Sequence, residues 1–119
     1  MNTWKAQVDT LVFLQDHNGL WHTVLDDPAS YCEVSGSSAI AAGILKGIHL
    51  GILDSSYLPT AELAISAVCD NIAADGTVLN VSAGTGIGMN ADHYKNIVIK
   101  PMAYGQSLAI LALTEALEG

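Results

Sequence analysis

Two stretches of this 119-residue chain read as helices that are apolar on nearly every side, and they restrict its fold more than any other feature. The first, from about 36 to 50, carries Ala39, Ile40, Ala42, Gly43, Ile44, Gly47 and Ile48, with only Lys46 and His49 interrupting. The second, about 104–118, contains Gly105-Gln106-Ser107-Leu108-Ala109-Ile110-Leu111-Ala112-Leu113. A helix without a polar face must be covered on most sides. Neither run is continuous over the ~20 apolar residues that a membrane span needs. Cover must therefore come from protein.

Two further helices are expected, and both are amphipathic. Trp4, Val8, Leu11, Val12 and Gln15 recur at helical spacing, which predicts a helix over 3–16, ended by Asp16-His17-Asn18-Gly19. Pro59 suits a first helical turn. Leu63, Ile65, Ala67, Val68 and Ile72 then continue a helix to about 73, and Ala74-Asp75-Gly76-Thr77 forms a turn. Weak alternation over 77–81 and the Ile97-Val98-Ile99 triplet before Pro101 suggest two short strands. The order is a repeat: an amphipathic outer helix, then an apolar inner one, twice over. The second repeat is longer, and the extra residues fall in the irregular 82–103 segment. The expected fold class is all-α, two helical hairpins of an α/α toroid with a small β element, forming one partial domain over 1–119.

Charge narrows the partners. Twelve acids against four basic residues, none of them Arg, give a net charge of −8. That argues against nucleic acid, whose binding needs cations to displace phosphate counterions, and against anionic membrane surfaces. Cys32 and Cys69 read as free buried thiols rather than a disulfide framework. No secretory pattern opens the sequence, so the cytoplasm is the expected compartment.

The segments GLWHTVLDDPASYCEVSGSSAIAAGILKGIHLGIL, ADGTVLNVSAGTGIG and YGQSLAILALTEAL resemble the C-terminal part of glycoside hydrolase families 88 and 105, the unsaturated glucuronyl and rhamnogalacturonyl hydrolases. The Gly-Leu-Trp turn, the Tyr-x-Glu-x-Ser-Gly-Ser helix entry and the Gly-Thr-Gly loop occur in the family's order. The resemblance implies a piece of an (α/α)6 barrel. It also implies an activity: hydration of the double bond in an unsaturated uronic acid at the end of a polysaccharide-lyase product, by an Asp acting as general acid and base. No metal and no organic cofactor are implied. The family's catalytic Asp, its paired Asp and its Arg-Gly-Asn-Gly-Trp stretch have no counterpart here. The resemblance therefore implies no catalytic residues in this chain.

Candidate substrate-binding residues are Trp21, His22, Tyr31, Ser82, Thr85 and Gly86. Trp21 and His22 follow a Gly turn, where they either meet a sugar or pack over helix ends. Ser82, Thr85 and Gly86 belong to the loop that faces the active-site mouth in the resembled hydrolases. Glu33 reads as a helix-entry acid, with a general acid as the alternative. Ser35, Ser37 and Ser38 are the expected caps. His49 reads as a core histidine. His17, Asp92 and His93 offer metal-ligand types, but no spacing joins them. Two inner helices left half-covered by two hairpins suggest a homo-oligomer through Ile40, Ile44, Ile48, Leu108, Leu111 and Leu113.

Overall fold

The computed structural model describes residues 2–82, 96–97, 99 and 101–118. Among the described residues four α-helices carry the fold: α1 Asn2–Leu14, α2 Val34–His49, α3 Leu58–Asp70 and α4 Ala103–Glu118. A 3-10 turn, Ser55–Tyr57, leads into α3. The two inner helices, α2 and α4, pack most extensively on each other, and α3 lies against α2. The alternation of outer and inner helices is thus the one the sequence pattern predicts.

Two apolar clusters hold the helices. One gathers Val8, Trp21, Ile44, Leu45 and Leu53 with Ala61 and Ala64, so it ties α1, α2 and α3 together. The other joins Leu20, Val34, Val68, Val78, Val81 and Ala109, under the loops that connect the hairpins. Aliphatic and alanine side chains dominate both, as expected from an aromatic share of 6%.

Two glycines permit this packing. Gly19 has φ +97, a left-handed conformation that ends the turn after α1. A Cβ there would lie 2.5 Å from the Leu63 carbonyl oxygen. At Gly47 a Cβ would lie 2.6 Å from the Trp4 ring, so the glycine makes room for that ring against α2.

The β element is smaller than the sequence suggests. Among the described residues there are only isolated bridges, Ile72 with Val78, Ser82 with Ile99 and His22 with Cys32. The 77–81 stretch fails as a strand because Asn80 adopts φ 59, a left-handed value that breaks extension. Around 97–99, Val98 lies outside the described residues, Ile97 sits in a bend and Ile99 makes a single bridge. No helix among the described residues is long and apolar enough to cross a membrane.

Candidate functional site

The N-terminus of α2 gathers a dense set of hydrogen bonds. Glu33, extended at φ −120 and ψ 124, is the N-cap. Its Oε1 accepts from the Gly36 N–H at 2.7 Å. Its Oε2 accepts from the Ser35 N–H at 3.1 Å, the Ser35 hydroxyl at 2.6 Å and the Ser82 N–H at 2.9 Å. A carboxylate caps well here because the first helical N–H groups lack partners and the helix end is electropositive. With its lone pairs taken by four donors, Glu33 is a cap and a strut to Ser82, and the general-acid alternative lapses. The serines are not the caps. Ser37 and Ser38 instead donate back to the carbonyls of Glu33 and Val34, at 2.7 and 2.8 Å.

Ser82 and Tyr31 stand beside this strut. The Ser82 carbonyl accepts from the Tyr104 hydroxyl. The Tyr104 phenol is pushed above its usual value, first by burial and then by the Glu33 carboxylate and Tyr31. Among the described residues, the Ser82 Oγ and the Tyr31 hydroxyl are buried without a hydrogen-bond partner. Each such group costs about 1–3 kcal/mol unless something supplies a partner.

Trp21 and His22 lie on the other side of Glu33. They line a cleft of about 180 Å³ with Leu25, Gly36, Ser37 and Ile40. That is below the ~300–1,000 Å³ of a drug-sized pocket, so it is room for one small ring system at most. A larger hollow of about 570 Å³ runs along α1 between Thr3, Gln7, Leu14 and Leu25, but no titratable side chain lines it. Trp21 is mostly core. It is 2% exposed, and its indole N–H donates to the Leu11 carbonyl at 2.7 Å. The Trp21 backbone N–H donates to the Ser37 hydroxyl, which pins the 20–22 segment to α2.

His22 is fixed through both ring nitrogens. Nδ1 lies 2.6 Å from the Ser30 carbonyl and Nε2 lies 2.9 Å from Asp16 Oδ1. The Asp16 carboxyl is held below the usual range, chiefly by the Asn18 backbone N–H and also by His22 and His17. Cys32 Sγ is 3.6 Å from His22 Nδ1. Burial pushes the Cys32 thiol up, and nearby Asp16 pushes the same way. Sequence reading missed this Asp16–His22–Cys32 grouping. The available signal was an Asp-x-Asn-Gly turn before His22, with Cys32 opposite if the intervening loop folds back.

The remaining sequence-predicted residues divide clearly. Thr85, Gly86, Asp92 and His93 lie outside the described residues. His49 is not a core residue. It lies at the surface, 2.8 Å from Glu115, because α2 presents its last turn to α4 there. Cys69 is free, as is Cys32, but it is exposed rather than buried.

Apolar helices alternating with amphipathic ones, with polar groups gathered at the capped end of α2, define a segment of an α/α-hairpin toroid. The sequence profile of Glycosyl Hydrolase Family 88 matches residues 1–118, and the chain belongs to that family. It is 42% identical over 115 residues to the unsaturated rhamnogalacturonyl hydrolase YesR of Bacillus subtilis, covering 96% of this chain and 32% of that protein. It is 35% identical over 80 residues to an unsaturated 3S-rhamnoglycuronyl hydrolase of Formosa agariphila, covering 65% of this chain and 21% of that one. The crystal structure of a possible GH105 family member from Salmonella enterica superposes with a TM-score of 0.94 at 43% identity, covering 96% of this chain and 30% of the other. The chain thus spans about a fifth to a third of the length of these relatives.

Proposed function

We propose that this chain is a sugar-binding portion of an unsaturated uronyl glycoside hydrolase of carbohydrate metabolism, and that it has no turnover of its own. One observation carries the reading: the buried Tyr31 and Ser82 hydroxyls without partners, flanking the Glu33 strut. A saccharide hydroxyl or a uronate carboxylate would supply those missing partners. Proton donation to the sugar double bond needs a positioned carboxylic acid. Glu33, the carboxylate nearest these hydroxyls, is spent on four donors. The ligand class follows the relatives, which are hydrolases of unsaturated rhamnogalacturonyl and rhamnoglycuronyl compounds.

The test is calorimetry with an unsaturated rhamnogalacturonyl disaccharide, with the ultraviolet absorbance of its double bond followed in parallel. The expected result is binding, weakened by Tyr31→Phe and by Ser82→Ala, with constant absorbance. Absence of binding, or steady loss of absorbance, overturns the proposal.

A second reading rests on a different observation. Ile110, Leu111 and Leu117 on α4 are 60%, 57% and 88% exposed. A non-catalytic helical module that self-associates through its inner helices would cover them, most simply as a two-fold dimer. Ile44 leaves the expected contact set because it is core within one chain, 1% exposed. The cytoplasm is the compartment this reading assumes, and the free thiols Cys32 and Cys69 suit a reducing environment.

A further inference from the structure

The Asp16–His22–Cys32 grouping has a use that sugar binding does not absorb. Three local devices build it. The turn after α1 fixes Asp16: its Oδ2 accepts from the Asn18 N–H at 2.9 Å, and its carbonyl accepts from the Gly19 N–H at 2.9 Å. His22 and Cys32 are paired across an antiparallel bridge, so their side chains leave the backbone on one face. Backbone bonds on either side lock that pairing, Thr23 N–H to Tyr31 O at 2.8 Å and Glu33 N–H to Trp21 O at 3.0 Å.

We propose that Cys32 Sγ and His22 Nδ1 form the seat of a thiophilic divalent cation of the zinc class, with Asp16 orienting the imidazole from its other nitrogen. The separation of the two ligand atoms fits such a seat. Tetrahedral bonds of ~2.3 Å to sulfur and ~2.05 Å to nitrogen place those atoms ~3.6 Å apart. Cys32 Sγ and His22 Nδ1 are 3.6 Å apart. The Asp16 carboxylate sits 2.9 Å from Nε2, as the outer partner of a metal-bound histidine does. One ligand atom each from Asp16, His22 and Cys32 lies within 4.8 Å of the others. The Asn18 amide lies beside the sulfur, Nδ2 at 3.6 Å and Oδ1 at 4.0 Å, and water fills the remaining coordination positions.

The support is stiff: the His22 and Asp16 side chains are 10% and 16% exposed. Cys32 is half-buried and gives access from solvent. Binding forms one metal–sulfur and one metal–nitrogen bond. The thiol proton, and any proton on Nδ1, leave to water, and the Ser30 carbonyl gives up its contact with Nδ1. The other candidate grouping, His49 with Glu115 and Glu118, offers no sulfur and is more open.

The test uses the full chain with Cys69→Ser, since that exposed thiol would bind soft metals on its own. Cadmium ion alone is titrated in, and the sulfur-to-metal charge-transfer absorption is followed. One cadmium per chain is expected, displaced by zinc. Cys32→Ser should abolish the band. Asp16→Asn should weaken binding by about 10- to 100-fold, and His22→Gln should weaken it at least as much. No band in the parent at stoichiometric metal overturns the proposal without any variant at the site. A band unchanged by His22→Gln also overturns it, because the ligand is then a lone thiol. Far-ultraviolet circular dichroism of each variant separates lost ligands from lost fold.

Discussion

The two inner helices are equally apolar in sequence and differently treated by the fold. Helix α2 buries Val34, Ser35, Ser37, Ser38, Ala41, Ile44, Leu45 and Gly47, which point in several directions. Helix α4 buries only Gly105, Ala109 and Ala112 among its described residues. Those three are small and lie on one face at helical spacing, so α4 gives α2 its narrow side. Its large side chains, Ile110, Leu111 and Leu117, point away into solvent. Helix α2 is the middle of an array and α4 is its margin. Hydrophobicity marks both as helices to be covered, but only neighbours decide which one is.

The sharpest way to break that contrast is to attack the cover over α2. Trp21→Ala removes a ring that is 2% exposed and bonded to Leu11, and should cost about 3–5 kcal/mol in denaturant unfolding. A loss below ~1 kcal/mol would mean that α2 is no better covered than α4.

Next is the cap. Glu33→Ala releases the Ser35, Gly36 and Ser82 N–H groups, and should lower stability by about 1–3 kcal/mol. Amide hydrogen exchange should quicken at Gly36 and Ser82 together. Exchange that quickens at Gly36 alone would separate the cap from the strut.

Gly19→Ala should cost about 1–3 kcal/mol, since φ +97 and the Leu63 carbonyl both resist a methyl group. On the open side the expectation reverses. Ile110→Ser and Leu111→Ser should each change monomer stability by no more than ~0.5 kcal/mol. Light scattering should show less self-association. A large stability loss would place those residues in a core.

Acid should act at the turn beside α1. The Asp16 carboxyl sits below its ordinary value, so its contribution is present above the ordinary carboxylate range and is lost as pH falls through the depressed value. Asp16→Asn should flatten that acid limb in pH-dependent unfolding. Alkali acts at the 3-10 turn: the Asp9 carboxylate accepts from the Tyr57 hydroxyl and pushes that phenol up to about 12. That bond is intact below the ordinary tyrosine value and lost as pH rises through the raised one. Asp9→Asn should lower the phenolate midpoint in an ultraviolet titration.

The sequence by itself determined the helices, their alternation and the family. Periodicity, the Gly19 and Gly76 turns, Pro59 and the Glu33 entry are local signals, and local backbone physics answers to them. Tertiary structure decided the rest, because contact partners are set by segments far apart in the chain. It turned Trp21 inward, made Glu33 rather than a serine the cap and bound it to Ser82. It drew His49 out to Glu115, 66 positions away. It set Cys32 against His22 through a bridge that no spacing rule specifies, and it left the large face of α4 bare. Composition can say that a side chain seeks cover. Only the arrangement of the other helices supplies it.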